Sequence, residues 1–376
     1  MIKVSKYIKI NIDQNIKFNK EIKNFLAPNY VYVPFYKDYE LLVKNHDYLT
    51  MNDVLLKKGN KTIYSPISGE VIGLCDMIVD NNNNMKCIVI ENDYMEKGKI
   101  INSRKNILSI SKDDLMKRVL ELNAFSGNLN GDVLLITGID YEPYENTLNS
   151  LIYKYIDDIL ECISALLSIL KVKKCILAIK NNNSENVLKL INQIGTYPDI
   201  TLKLINDLYP LGMKEVLVRN LIDKKENPIV LDVNDVYNIY NVLRKDKPIT
   251  HKLVTFSGNL LNKSKVINCK LGTNISEILE EEFNIKDSNY DIVINGLLSG
   301  YKVENSNVCI TNNIRSVFVV KPIRCKTQEC INCGNCLNYC PVGANPKTGY
   351  KMEKCIKCGL CSYICPANIN LGGSHE

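Results

Sequence analysis

The rhythm of hydrophobic and polar positions changes several times along the chain. Between residues 30 and 92, short apolar runs alternate with turn residues: YVYVPF, a stretch ending at DVLLKKGN, then TIYSPISGEVIGL and, after the asparagines at 81–84, KCIVIEN. Brief runs rich in β-branched and aromatic residues, punctuated by Gly, Pro and Asn, predict a small all-β module. From about 112 to 245 the pattern changes. Strand-length runs (DVLLIT, KKCILAIK, ITLKLIN) now alternate with segments of helical period (NSLIYKYIDDILECISALLSILK, SENVLKLINQI, MKEVLVRNLI). That alternation predicts an α/β layer on a parallel sheet. Between about Asn149 and Leu170, residues Ile152, Ile156, Ile159, Leu160, Ile163, Leu166 and Leu167 fall on one broad face, with Cys162 in the same stripe. A helix of this kind is expected to pack that face against the sheet.

Residues 250 to 276 read as two or three strands with turns at Ser257-Gly258-Asn259 and Leu271-Gly272-Thr273, then a short helix, a pattern that fits a β-grasp-like unit. The segments NYDIVINGLLSGY and RSVFVVKP follow. Beyond residue 321 hydrophobic periodicity almost vanishes, so that region needs a core of another kind. The expected architecture is α+β and multidomain: a barrel-sandwich β module over 1–100, a Rossmann-like α/β domain over 110–245, a β-grasp segment over 250–320 and a cysteine-rich domain over 321–376. A chain of 376 residues with 45% hydrophobic content can bury cores for several domains.

Composition narrows the function classes. No run approaches the roughly 18 apolar residues of a membrane span, and MIKVSKYIKINIDQ lacks a continuous apolar signal core. The expected location is the cytoplasm, with membrane association only through partners. The net charge of +6 is mild, and the lysines are scattered among Asn and Ile instead of forming a stripe with aromatics, which gives nucleic-acid binding no support. His46, His251 and His375 show no metal-ligand spacing.

Of 15 cysteines, eight crowd between residues 330 and 365, which signals metal rather than disulfides. Cys75, Cys87, Cys162, Cys175, Cys269 and Cys309 sit mostly in apolar runs, where a thiol behaves as a small hydrophobe; Cys325 fits that description less well. The crowded eight form a repeat: Cys330-x2-Cys333-x2-Cys336-x3-Cys340-Pro341, then Cys355-x2-Cys358-x2-Cys361-x3-Cys365-Pro366. In two-cluster ferredoxins three thiolates of each run reach one cubane and the fourth ligand crosses over. This assigns Cys330, Cys333, Cys336 and Cys365 to one [4Fe-4S] cluster, and Cys340, Cys355, Cys358 and Cys361 to the other. Gly334 and Gly359 remove side-chain bulk where backbone N–H groups would approach cluster sulfurs. Zinc also uses CxxC pairs, but its motifs seldom double this array. Residues 321–376 carry seven Lys or Arg against three Asp or Glu, a surplus of four expected to offset the anionic clusters, with a docking face for an acidic partner as the alternative.

In order of domains, and in the stretches YSPISGEVIG, ITGIDYEPYENT, YPLGMKEVLVRNLI and TFSGNLLNKSKVINCKLGT together with the cysteine array, the chain resembles the RnfC family, a component of the Rnf electron transport complex. That family is related to the NADH- and flavin-binding subunit of respiratory complex I and to proteins that serve amino-acid reductases. The resemblance implies a barrel-sandwich hybrid, a flavoprotein-type α/β domain, an SLBB-like β-grasp segment and a two-cluster ferredoxin domain. It implies an electron-transfer component of an oxidoreductase, partnered by a redox protein or by other subunits. It also puts Glu142 near a nicotinamide and flavin cleft, with Lys214 and Glu215 in a segment shaping that cleft. The family's GxGGAGFPT loop, whose bare backbone approaches the flavin phosphate, corresponds here to Leu122–Gly131, where two glycines stand off the family spacing. The expectation is therefore a wire through two clusters without a working flavin site. Its alternatives are an FMN-containing NADH or ferredoxin oxidoreductase subunit, and a structural adaptor with redox-silent clusters.

Overall fold

The computed structural model describes residues 6–10, 18–98, 106–181, 185–285, 289–322 and 327–371. Cys325 and His375 lie outside them. In chain order the first strand is β1 (Phe18–Phe25), followed by β2 (Tyr30–Pro34), β3 (Glu40–Leu41), β4 (Tyr48–Leu49), β5 (Val54–Lys58), β6 (Lys61–Tyr64), β7 (Gly69–Ile78) and β8 (Asn84–Asn92). Strands β2-β8-β7-β4 form one antiparallel sheet and β3-β5-β6 a second. Alternation does its expected work in β2, where Val31 and Val33 turn inward to meet Leu55, Leu56, Val71, Ile88 and Ile90. At Gly69 the crossing is so close that a Cβ would lie 1.8 Å from the Glu91 carbonyl oxygen, which explains the glycine in SPISGEV.

Next come α1 (Lys112–Glu121), β9 (Val133–Thr137), α2 (Thr147–Leu170), β10 (Cys175–Lys180), α3 (Glu185–Ile194), β11 (Ile200–Ile205), α4 (Lys214–Leu221), β12 (Pro228–Asp232) and α5 (Val233–Lys245). The four strands form an all-parallel sheet in the order β11-β10-β9-β12. Every residue of β9 is buried, as expected where helices cover both faces. The apolar face expected of α2 is buried throughout, Cys162 included, and shares one core with β9, β10 and α5. Helices α1 and α5, and strand β12, do not stand out by periodicity. For α5 the marker is local: Asp232 accepts from the Asp235 N–H at 2.8 Å while Asp235 accepts from the Asp232 N–H at 3.0 Å.

The remaining elements are β13 (His251–Ser257), β14 (Ser264–Lys270), α6 (Ile275–Phe283), β15 (Asp291–Ile294), β16 (Tyr301–Val303), β17 (Ser316–Val320), α7 (Asn335–Asn338) and α8 (Leu360–Tyr363). Strand β1 crosses back to run parallel to β14, completing a six-stranded sheet in the order β1-β14-β13-β17-β15-β16 with its own core around Phe256, Ile267 and Val317. The cysteine region contains only α7 and α8 besides one 3-10 turn among the described residues. Gly334 and Gly359 cap those helices at φ 75° and 69°, a left-handed conformation that costs glycine little. The α+β multidomain architecture expected from periodicity is thus present. Cys87, Cys162, Cys175, Cys269 and Cys309 are buried, and Cys75 is half-buried.

Candidate cluster sites and α/β pocket

Cys340, Cys355, Cys358 and Cys361, one of the two expected ligand sets, line a single largely enclosed apolar recess with Cys336 from the other set. Val342, Ala344, Met352, Ile356, Leu360 and Leu371 are among the other residues of its wall. Apolar walls with thiols as the polar donors suit an iron–sulfur group, whose potential depends on exclusion of water. Two backbone N–H groups already point at ligand sulfurs: Ala344 donates to Cys340 Sγ at 3.2 Å and Lys357 to Cys355 Sγ at 3.4 Å. Burial pushes the Cys358 thiol up to about 12, with the thiols of Cys361, Cys340 and Cys355 contributing, so metal binding there must displace a tightly held proton. Among the described residues no three or more His, Cys, Asp or Glu side chains converge as they would around one ion. A cubane asks for something else, one thiolate per iron around its corners.

The second expected set is placed differently. Cys330 and Cys333 are exposed, while Cys336 and Cys365 are half-buried. Ile331, between the two exposed cysteines, is itself 63% exposed. The first, inner set is thus the more enclosed, with Cys358 buried and Cys340, Cys355 and Cys361 half-buried; the second, outer set has two cysteines at the surface and Cys336 on the recess wall.

A separate pocket of about 390 Å³ opens at the carboxyl ends of β9 and β12. Open α/β sheets bind ligands at that edge. Its wall includes Asp140, Tyr141, Glu145, Lys214, Asp232, Asp235, Lys252 and Arg315. Most charges there are already matched: Lys214 Nζ lies 3.2 Å from Asp235 and 3.4 Å from Asp232, and Arg315 lies 3.7 Å from Glu145. Tyr141 donates to Asp232 at 3.0 Å. Burial raises Asp140 to about 7 and Asp235 to about 6, and lowers Lys252 to about 8. Lys214 lines the pocket; Glu215, next to it, is exposed and does not.

The glycines in the segment corresponding to the flavin-phosphate loop stand elsewhere. A Cβ at Gly131 would meet the Asn227 carbonyl oxygen at 2.5 Å, at the amino ends of β9 and β12, and one at Gly127 would strike the Phe125 ring at 2.4 Å. Neither glycine offers an open backbone cradle at the pocket. Glu142 does not line the pocket either. It is 3% exposed, and its carboxylate accepts from Ser299 Oγ at 2.5 Å, Tyr209 Oη at 2.8 Å and the Leu298 N–H at 3.2 Å. Burial raises it to about 7 against these three donors. Asp140 lies in the stretch ITGIDYEPYENT that carried the resemblance, whereas Asp232, Asp235, Lys252 and Arg315 do not stand out in the sequence. The capping-box pair at 232 and 235 is the one local signal that could have found part of this wall.

Comparison with known families matches residues 3–95 to the RnfC barrel sandwich hybrid domain, 120–243 to the Nuo51 FMN-binding domain, and 327–343 and 350–369 to 4Fe-4S binding domains. The RnfC component of the ion-translocating oxidoreductase complex of Buchnera aphidicola subsp. Acyrthosiphon pisum is 26% identical over 77% of this chain and 67% of its own length. Its counterpart in Haemophilus influenzae strain PittEE is 24% identical over 82% and 52%, and that of Rhodobacter capsulatus 25% over 57% and 44%. The chain thus spans about two thirds of the first relative and about half or less of the other two. An NAD+-reducing [NiFe]-hydrogenase in the air-oxidized state aligns with 51% of the chain and 40% of its own at 14% identity and a TM-score of 0.42. In its match to the RnfC barrel sandwich hybrid domain, to the Nuo51 FMN-binding domain and to paired 4Fe-4S motifs, and along most of its length, the chain is similar to these RnfC proteins.

Proposed function

We propose that this chain is an electron-transfer subunit that relays electrons through two [4Fe-4S] clusters, to or from a partner redox protein or neighbouring subunits of a complex, without a working flavin site. The observation that carries this reading is the gathering of Cys340, Cys355, Cys358 and Cys361 around one apolar recess, with Cys336 of the second set on the same wall. Cys336 belongs with Cys330, Cys333 and Cys365, so its place on that wall supports two adjoining clusters. When bound, such clusters supply reversible one-electron chemistry. The chain's own part is to hold the thiolates, exclude water from the inner set and donate the Ala344 and Lys357 N–H groups to sulfur, which favours the more negative, reduced state.

The outer set, with Cys330 and Cys333 at the surface beside exposed Ile331, is the natural place for exchange with a partner. Among the described residues no helix is long and apolar enough to cross a membrane, so attachment to a membrane complex would pass through other subunits. The absence of a working flavin site is supported by the positions of Gly127 and Gly131, which leave the pocket without the bare backbone a phosphate requires. A second reading, an FMN-containing oxidoreductase subunit, is favoured by the pocket at the strand ends and by the match to an FMN-binding domain.

Anaerobic purification followed by iron, acid-labile sulfide and FMN analysis separates the readings. NADH and then dithionite are added while absorbance and EPR are followed. Two clusters reduced by dithionite and not by NADH, without flavin, are expected. Stoichiometric FMN with reduction by NADH would replace this reading by the second. Clusters that stay silent under dithionite would make the chain an adaptor.

A further inference from the structure

Distant parts of the chain meet at Glu142. The loop after β9 supplies its carboxylate, the loop before α4 supplies Tyr209, and the segment between β15 and β16 supplies Leu298 and Ser299. The fit leaves no slack: a Cβ at Gly296 would lie 2.1 Å from Glu142 Cγ. On the far side of this junction is the inner cysteine set. Tyr209 Oη lies 2.8 Å from Glu142 Oε1 and also 2.6 Å from the carbonyl oxygen of Cys358. The next residue, Gly359, is pressed so closely on the same segment that a Cβ would lie 1.8 Å from the Leu298 carbonyl oxygen. The turn that carries Cys358 therefore rests on the residues whose N–H and hydroxyl groups hold Glu142.

A phenol has a single proton to donate. The Glu142 carboxylate and the Cys358 carbonyl both sit within reach of it, so they compete. A carboxylate draws the proton toward itself and leaves the carbonyl short of a donor; a neutral side chain in its place releases it. We propose that Glu142 and Tyr209 are positioning residues for the inner cluster, seating the Cys358–Gly359 turn and setting how strongly its carbonyl is hydrogen-bonded. This rests on the two-cluster reading above and gives Glu142 a role on the cluster side of the α/β domain. Both the negative charge and the competition for the proton act in one direction, against adding an electron to the inner cluster.

The test uses the full chain, purified anaerobically at pH 8, as wild type, Glu142→Gln and Tyr209→Phe, both near-isosteric. Iron and labile sulfide are counted, then each cluster's midpoint is measured by EPR-monitored redox titration. Cys358→Ser identifies the inner cluster by the signal it removes. With wild-type iron content, the inner midpoint should rise in Glu142→Gln and fall in Tyr209→Phe, and the outer midpoint should stay in place. Midpoints unchanged in both variants, or moved equally for both clusters, overturn the proposal while leaving the two-cluster reading intact. A wild-type protein with fewer than two clusters overturns that reading first, and this one with it.

Discussion

The cysteine region and the α/β domain sit against each other, yet they hold their shapes by different means. The α/β domain has a continuous apolar core, with β9 fully buried and α2 contributing Ile159, Leu160, Ile163 and Leu166. Its pocket could lose every ligand and the sheet would remain, because the sheet's stability comes from buried area. The cysteine region has two helices of four residues each among its described elements, and its recess is walled by thiols. Short helices of this length do not stand alone; the region's apolar contacts are a small cluster in which Cys358 and Leu360 meet Tyr209, Met213, Val216 and Leu298, and a region with so little core of its own leans on metal. The difference teaches where each region tolerates change: the pocket can drift while the fold persists, whereas the cysteine array cannot.

The largest effect should come from Cys358→Ser, which on the proposed two-cluster reading removes an inner ligand. Iron content should fall by about half, as expected when one of two four-iron sites is lost, and limited proteolysis should cut within 327–371 while the α/β sheet stays protected. Equal protection of both regions would break the contrast. Next in size, Ile163→Ala, deep in the α/β core at 0% exposure, should destabilise that domain by about 2–5 kcal/mol in denaturant unfolding, with iron content unchanged. Loss of iron in parallel would show that the two regions share one core after all.

A third effect follows from pH. Glu142 and Asp140 have folded values raised to about 7 by burial, and Asp235 to about 6. A carboxyl raised in this way holds its proton longer in the folded chain than in the unfolded one. The stability it lends is complete below its ordinary value and is lost as pH rises through the folded value. For a carboxyl moved from 4.5 to about 7 the full swing is on the order of 3 kcal/mol. The melting temperature of the anaerobic holoprotein should therefore decline from about pH 4.5 to about pH 7, and Glu142→Gln should flatten part of that decline. An identical slope in the variant would remove Glu142 from the account. The smallest effect is expected at Ser111, whose hydroxyl caps α1 by accepting from the Asp114 N–H at 3.1 Å. Ser111→Ala should cost about 1 kcal/mol and leave the clusters untouched.

Much of the fold was legible because its signals are local. A fully buried parallel strand reads as an unbroken apolar run, as VLLIT does, and a helix lying on a sheet reads as a broad stripe, as 149–170 does. The segment PIVLD followed by VNDVYNIYNVLRK was harder, since strand and helix adjoin without a linker and the boundary is the Asp232/Asp235 capping box alone. The return of β1 to pair with β14 had no local signal, because a parallel partner some 240 residues away leaves no mark on spacing.

The site divides in the same way. The proposed ligand sets rest on sequence spacing, because a cubane recruits three thiolates from one short loop. The resemblance brought Glu142 forward, but its surroundings could not be read beforehand. Tyr209, Leu298 and Ser299 come from loops distant in the chain, and their convergence depends on how the α/β sheet, the six-stranded sheet and the cysteine region pack together. By itself the sequence determined which cysteines are grouped and which faces are apolar, since both are short-range properties of the chain. Only the tertiary structure decided that Cys358 is buried with its carbonyl on Tyr209 while Cys330 and Cys333 stand at the surface, because burial of that kind is a property of packed surfaces and not of neighbours in sequence.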